Sequence, residues 1–487
     1  MVTAKRKGRF DLLSISGAPD RDESREMLCM CTGRCLQGHG ACDTLDGPSP
    51  QSAASYATKK VVHMSPQLFQ APRGTTDILP DQQKGWLAVH STAEETANRF
   101  GYERIDTPLF EDARLFVRGV GEVTDIVEKE TYTFEDRGGD LVTLRPEGTA
   151  PVCRAYLEHG MHNLSQPVRL YYFCPVFRYE RPQAGRFRQH HQFGIEALGD
   201  GNARVDAEVI ELGWQLLDGL GVEEKLLMLN STGDPECRPA YIERLQAHYR
   251  PQVDRLCENC KRRLEENPLR VLDCKEASCQ PVIEEAPHSI DYLCDACEEH
   301  WKALLASLDA IGLTFDIDHT LVRGFDYYTR TVFEIVPPDA GNTSTILGGG
   351  RYDGLIEELG GRPTPGVGFG MGIERVLANI KRGDAGFDDD AVKVIVVALG
   401  AESAAAGVGL SSKLRRNGVP AIMGPADRSL KSQMRYASSI RATHAVIIGA
   451  DELAKGTATL RNLTESDQRE VGLDELPRVL KARGRGD

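Results

Sequence analysis

From Pro80 onward the chain sorts its apolar and polar positions into recognisable periods. Trp86, Val89, Ala93, Ala97 and Phe100 recur at helical spacing, which predicts a helix capped by Asp81 and ended by Gly101. Short strands and turns follow through Arg145. Residues 169–180 and 187–198 alternate apolar and polar side chains and predict a hairpin whose longer loop spans 181–186. Residues 203–220 read as a helix, and 230–310 as a Cys- and charge-rich insertion with helical stretches. Residues 321–336 read as a strand-pair segment, and 366–372 as a glycine-rich strand entering a helix at 373–380. Residues 381–390 read as a linker. The order beyond it is strand (392–399), helix (401–417), strand (419–423), helix (430–440), strand (445–448). That is a βαβαβ unit, hence a small α/β domain with a parallel core.

Residues 1–63 keep no such period and are rich in Ser, Gly, Asp and Cys. Asp11, Asp20, Asp22, Glu23 and Glu26 make the stretch too acidic for a mitochondrial transit peptide. The expectation is a disordered or spurious extension over 1–65, with Met64 as the biological start.

Composition narrows the class. The chain has 487 residues, 41% hydrophobic and 27% charged, which excludes a wholly disordered or fibrous protein. Apolar runs such as 394–399 are far too short to span a bilayer. The formal charge is −14, unevenly spread. Residues 391–487 hold 15 Lys+Arg against 10 Asp+Glu, a net of +5, so the remainder carries −14 − 5 = −19. A basic C-terminal piece on an acidic body hints at an anionic partner, although a solvated surface would look the same. Thirteen cysteines with no secretory apolar region point to a reducing, cytoplasmic setting.

The hairpin carries the most chemistry. One face collects Arg178, Glu180, Arg188, His190, Gln192 and Glu196, and the other Phe177, Tyr179, Phe187, Phe193 and Ile195. Planar bidentate donors opposite an apolar face suit an anionic ligand; a solvated sheet face laced with ion pairs is the bland alternative. Gly348–Gly350 and the alternate glycines of 366–372 are each open to two readings, close approach to a ligand or tight packing. Neither forms a P-loop or a dinucleotide fingerprint. Arg375, in the first turn of the following helix, could reach a phosphate.

Together these pieces resemble the class II aminoacyl-tRNA synthetases. Phe177-Arg178-Tyr179-Glu180 with its loop resembles motif 2, Gly368-Phe369-Gly370-Met371-Gly372-Ile373-Glu374-Arg375 resembles motif 3, and Pro108 sits where motif 1 has its proline. Two long strings, Leu321 through Glu334 and Leu347 through Leu355, resemble the histidyl-tRNA synthetases in particular, as do Ala71–Thr75 and Leu144–Thr149. The resemblance implies an α+β catalytic domain on an antiparallel sheet (66–385), interrupted by an insertion (225–315) and followed by an α/β anticodon-binding domain (391–487). It implies ATP-dependent activation of L-histidine and transfer to the histidine tRNA, with Mg²⁺ accompanying ATP. Motif 1 implies a C2 homodimer.

By the same resemblance Arg178 and Arg323 are the catalytic cations at the α-phosphate. Glu180, Arg186, Arg188, His190 and Arg375 contact ATP. Glu147, Tyr328 and Tyr352 surround the histidine ring, with Gly148 and Tyr327 beside them, and Thr149, Gln192 and Glu196 hold its amino group. Arg178 and Arg323 also face the substrate carboxylate. Tyr327 could equally be a packing aromatic, and Thr149 only a helix cap. His190 departs from the family, which commonly has Phe there. An imidazole titrating near its ordinary pKa of about 6.5 would make ATP affinity pH-sensitive. A histidine-sensing regulatory paralogue that charges no tRNA is the alternative; the intact Arg178, Arg323 and Arg375 and the complete C-terminal domain argue against it.

The insertion adds two C-x2-C pairs, Cys257/Cys260 and Cys294/Cys297, a candidate tetrahedral zinc site. Unmetallated thiols are the alternative. Cys274 and Cys279 fall between the pairs and are left out of the set.

Overall fold

The computed structural model describes residues 68–120, 130–180, 186–338, 345–380, 393–465 and 467–482. The extension and the 381–390 linker expected from the sequence lie outside the described residues.

The strands in the first part are β1 (Glu103–Arg104), β2 (Phe110–Asp112), β3 (Tyr132–Glu135), β4 (Leu141–Leu144), β5 (Val168–Phe177) and β6 (Gln189–Leu198). They continue as β7 (Leu226–Ser231), β8 (Asp316–Ile317), β9 (Thr329–Val336), β10 (Leu347–Arg351) and β11 (Gly366–Gly372). Eight of them form one sheet in the order β1-β5-β6-β11-β10-β9-β7-β8. Every inner pair is antiparallel, and only the edge pairs β1–β5 and β7–β8 are parallel. This is the antiparallel sheet expected from the sequence. β2, β4 and β3 form a separate small sheet.

Strand alternation gives the large sheet two different faces. The odd-numbered positions of β5 and β6, among them Tyr171, Phe193 and Ile195, join the main core under helices Gln83–Arg99 and Ala203–Gly219. The helix 83–99 buries Trp86, Val89, Ala93, Thr96 and Ala97, the stripe read from the sequence. Its cap differs: Gln82 occupies the N-cap and no side chain caps the helix, so Asp81 does not serve. Gly101, at φ 77°, turns the chain out of it, a conformation that glycine adopts without strain.

Residues 225–315 are not a body set apart from the sheet. β7 pairs with β9 over its whole length, and Leu227 and Leu229 belong to the main core. Helix Asp295–Ile311 contributes Trp301, Leu304 and Leu308 to that same core. A separate small core begins at Tyr241 and ends at Ala286. Residues 226–229 are a short apolar run without strand alternation, so only their pairing with β9, far along the chain, makes them a strand.

The C-terminal part holds β12 (Val394–Ala398), β13 (Ala421–Met423), β14 (His444–Ile448), β15 (Thr457–Asn462) and β16 (Gln468–Gly472), in the order β13-β12-β14-β15-β16. The expected parallel core is β13-β12-β14, with helices Ala401–Arg416 and Leu430–Ser439 between its strands. An antiparallel pair, β15 and β16, extends it beyond the βαβαβ reading.

Candidate active site

The other face of the large sheet forms a cleft. Its floor is made where β6, β11, β10 and β9 set Gly194, Gly370, Gly348 and Glu334 in register. The glycines do two different jobs. A Cβ added at Gly370 or Gly372 would make only ordinary van der Waals contact, at 3.6 Å, with Gln192 or Arg375, so these two positions are not packed shut. A Cβ at Gly348 would meet the Arg323 guanidinium at 2.5 Å. At Gly366 and Gly368 the room is already taken by the Tyr352 ring and the Glu196 carboxylate. Tight packing therefore accounts for Gly348, Gly366 and Gly368, but not for Gly370 and Gly372.

Arginines line much of the cleft. Arg178, just past the end of β5, donates from Nε to the carbonyl of Pro146 at 2.8 Å, and its guanidinium lies 5.6 Å from the Phe325 ring centre. Glu180 stands 4.0 Å from Arg178 and 3.6 Å from Arg186. Arg375 donates to the carbonyl of Thr345 at 2.7 Å. Burial, with the repulsion of Arg178 and Arg186 against the pull of Glu180, lowers its pKa, though an arginine remains charged. Arg323 pairs with Glu334, whose other oxygen accepts from Thr345 Oγ1 at 2.7 Å. Burial opposes the charge on Arg323 most strongly, but Glu334, Tyr328 and Tyr327 together outweigh it and raise the guanidinium pKa. The Arg323 Nε is buried without a hydrogen-bond partner.

Carboxylates and phenols line it too. Both Glu147 oxygens accept backbone N–H groups, from Thr149 at 2.5 Å and Ala150 at 2.9 Å. Glu147 thus caps helix Thr149–Glu158. Thr149 is freed from that task and donates to Glu196 at 2.7 Å. Tyr172 donates to the same Glu196 oxygen at 3.0 Å, and Tyr352 donates to the other. Burial still dominates over these donors and pushes the Glu196 carboxyl up to about 8. Tyr327 packs on Tyr328, Phe325 and Tyr352 at centroid distances of 4.7, 5.2 and 5.7 Å.

Of the residues expected at the site, Glu147, Gly148, Thr149, Arg178, Glu180 and Arg186 line the cleft. So do His190, Gln192, Arg323, Tyr327, Tyr328 and Arg375. Glu196 and Tyr352 stand one layer behind Thr149 and Tyr172. Arg188 turns away: its guanidinium lies 3.8 Å from the Tyr179 ring centre and its Nε donates to the Glu180 carbonyl. His190 is the clearest departure from its sequence reading. Burial, then the charges of Arg178 and Arg375, lower its pKa to about 3. The ring is neutral at pH 6.5 instead of titrating there.

Among the cleft residues given no role from the sequence are Tyr172, Arg270, Asp273, Glu334 and Thr345. Arg270 Nη1 donates to the carbonyl of Arg323 at 2.9 Å across the insertion, and no local pattern announces a contact that remote in sequence. Glu334 was legible in principle, as a carboxylate set within the apolar run 332–336.

The cysteine set expected from the sequence does not assemble. Cys257 and Cys260 gather with Cys274 and Cys279, whereas Cys294 and Cys297 gather with Cys237 and Asp234. The two C-x2-C pairs belong to different neighbourhoods because helix Asp295–Ile311 is committed to the main core, away from the small one.

Comparison with known proteins agrees with this arrangement. The protein-family model described as Histidyl-tRNA synthetase matches residues 74–376, and the one described as Anticodon binding domain matches residues 393–483. A histidine–tRNA ligase of Dehalococcoides mccartyi is 53% identical over 410 residues, 84% of this chain and 98% of that protein. One from Desulforamulus reducens is 47% identical over 417 residues, 85% of this chain and all of that protein. The structure of apo histidyl-tRNA synthetase from S. aureus superposes with a TM-score of 0.71 at 35% identity, covering 85% of this chain and 100% of that one.

Proposed function

Because the chain belongs to the histidyl-tRNA synthetase family, we propose that its cleft activates L-histidine with ATP and passes the histidyl group to the histidine tRNA. The protein is then a histidine–tRNA ligase. The observation that carries the reading is a single cleft lined by Arg178, Arg323 and Arg375 together with Glu147, Thr149 and Tyr328. The guanidinium groups suit phosphates, and the carboxylate and hydroxyls a small polar amino acid.

In the first step a carboxylate oxygen of histidine bonds to the α-phosphorus, the bond to the β-phosphate oxygen breaks, and pyrophosphate leaves. In the second, a hydroxyl of the terminal tRNA ribose attacks the activated carbonyl and AMP leaves. The chain needs to form no covalent bond in either step. Its task is to hold the reactants in line and to stabilise charge that grows on phosphate oxygens. Arg323 is held ready for this by Glu334 and by the space at Gly348. A guanidinium supplies two parallel donors with a charge that no physiological pH removes. Arg178 faces the same phosphate, and Arg375 the far end of the triphosphate. Glu180, near the adenine end, accepts an amino proton.

Glu147 and Tyr328 would pair the two imidazole nitrogens, so an analogue lacking one nitrogen leaves a buried polar group unpaired. Mg²⁺ carried with ATP would neutralise phosphate charge, and Glu334, a carboxylate lining the cleft, is an oxygen donor that would fit such a hard cation.

The reading includes a homodimer and a cytoplasmic location. Phe110 and Phe134 support the first. They lie on one face of the small β2-β4-β3 sheet, 55% and 48% exposed, where a second copy could cover them. No helix among the described residues is long and apolar enough to cross a membrane.

Two expected results belong to this reading. His190 is neutral across the working range, so the KM for ATP measured against pH should show no inflection near 6.5 from this residue. Its folded pKa lies below the free value, so protonation there begins only well into acid. A His190→Phe variant should share the same flat profile; an inflection at 6.5 that the variant lacks would contradict it. The second result concerns the net-positive 391–487 segment. Deleting it should reduce tRNA charging at least about 10²-fold, the loss expected when several phosphate contacts go together, while histidine-dependent pyrophosphate exchange changes far less. Equal loss of both would contradict the division of labour.

A further inference from the structure

We propose that Cys257, Cys260, Cys274 and Cys279 form a tetrathiolate zinc site, and that this site pins residues 267–275 against the loop carrying Arg323. The metal site stands independently of the ligase reading; only its link to catalysis rests on that reading.

The geometry is that of a closed structural site. The four sulfurs all lie within 4.8 Å of one another, with Cys257 Sγ and Cys274 Sγ 3.8 Å apart. Sulfurs at about 2.3 Å from a zinc ion stand about 3.8 Å from each other along a tetrahedral edge. All four residues are free cysteines, and Cys260, Cys274 and Cys279 are buried. Two backbone amides already point at the sulfurs, Cys257 N–H to Cys279 Sγ at 3.2 Å and Glu276 N–H to Cys274 Sγ at 3.4 Å. Amides in that position favour sulfur as thiolate. Four sulfurs in a tetrahedron suit zinc or an iron–sulfur cluster. On zinc binding each thiol yields its proton to solvent.

The subdomain has reason to need a staple. Its core between Tyr241 and Ala286 is small, and its helices Arg238–Tyr249, Glu258–Glu266 and Gln280–Glu284 are short. A core of that size supplies little stability by itself. The four cysteines tie two of those helices to the 268–274 turn. From that turn Arg270 donates to the Arg323 carbonyl at 2.9 Å and Asn267 donates to Asp326 at 2.9 Å. Ordering the turn therefore orders the 321–326 loop.

The second cluster is a poorer site. Asp234 Oδ1 accepts from the N–H groups of Glu236 and Cys237 at 3.0 and 3.4 Å, and Oδ2 accepts from Arg330 at 3.3 Å. That set offers three thiols beside a cation.

The test is elemental analysis of the full chain purified without added metal. About one zinc per chain is expected. Cys257→Ser or Cys274→Ser should bring zinc near zero, whereas Cys294→Ser should retain it. Should a Ser variant fail to fold, cobalt exchanged into the unaltered chain should give the intense sulfur-to-cobalt absorption of four thiolates. Hydrogen exchange of the 321–326 amides should quicken when zinc is chelated from the full chain. A metal-free chain, bound iron, zinc that survives Cys274→Ser but not Cys294→Ser, or a cobalt spectrum without thiolate absorption would each overturn the proposal.

Discussion

Arg323→Ala should lower the kcat of histidine-dependent ATP–pyrophosphate exchange by about 10²–10³-fold, the loss seen when one preorganised donor to a developing anion is removed. The KM values for ATP and histidine should move much less, since the interaction strengthens mainly as charge grows in the transition state. The structure separates this effect from a packing loss. Arg323 contacts Glu334, Gly348 and the carbonyl-bound Arg270, and its ring neighbour Tyr328 is held independently by Phe325 and Tyr352 through Tyr327. Its removal also strands the Glu334 carboxylate, so Arg323→Ala should be compared with Arg323→Ala/Glu334→Gln. Both should be slow, and the double variant should recover stability without recovering rate. Arg323→Lys keeps the charge but loses the planar fork, and should fall between alanine and the native chain. Rapid exchange by Arg323→Ala, or a loss confined to KM, would remove Arg323 from its catalytic role.

Arg351→Met should destabilise the fold by about 3–5 kcal/mol, the cost of leaving one partner of a buried ion pair without the other. Arg351 and Asp206 are both fully buried, with Arg351 Nε 3.0 and 3.2 Å from the two carboxylate oxygens. Burial alone would raise the Asp206 carboxyl, but Arg351 and His300 outweigh it and hold the pKa low. His300 Nε2 lies 2.8 Å away, and Thr331 donates at 2.6 Å. The same arginine donates to the carbonyl of Asp200 at 3.1 Å and to Asp353 at 3.0 Å. It thereby joins helix Ala203–Gly219, β9 and β10 behind the cleft. A fall in the melting midpoint on the order of 10 °C is expected. Arg351→Met/Asp206→Leu should regain much of it, because the stranded charge is gone and His300 still reaches Thr331 at 3.3 Å. If the single and double variants melt together, charge burial is not the cause.

This arginine marks a boundary of what the amino-acid pattern revealed. Nothing in its place beside Gly348–Gly350 points to its partner, which is 145 positions away. The hairpin was legible because strand alternation is local: Arg178, Glu180, His190 and Gln192 do share one face over the cleft. The parallel core of the C-terminal part was legible for the same reason. Features that depend on distant partners were hidden. They include the burial that keeps His190 neutral, the Glu196 carboxyl enclosed by Tyr172, Thr149 and Tyr352, and the division of the cysteines between two neighbourhoods. Spacing proposed one metal set, and the packing of helix Asp295–Ile311 on the main core produced another.

The most direct measurement is ATP–pyrophosphate exchange by the full chain with each proteinogenic amino acid in turn, followed by charging of the histidine tRNA with whichever amino acid drives exchange. The account predicts exchange with histidine alone, and charging to follow. Histidine binding with no exchange would contradict it and point instead to a sensor built on the same fold, in which the arginines of the cleft do no chemistry.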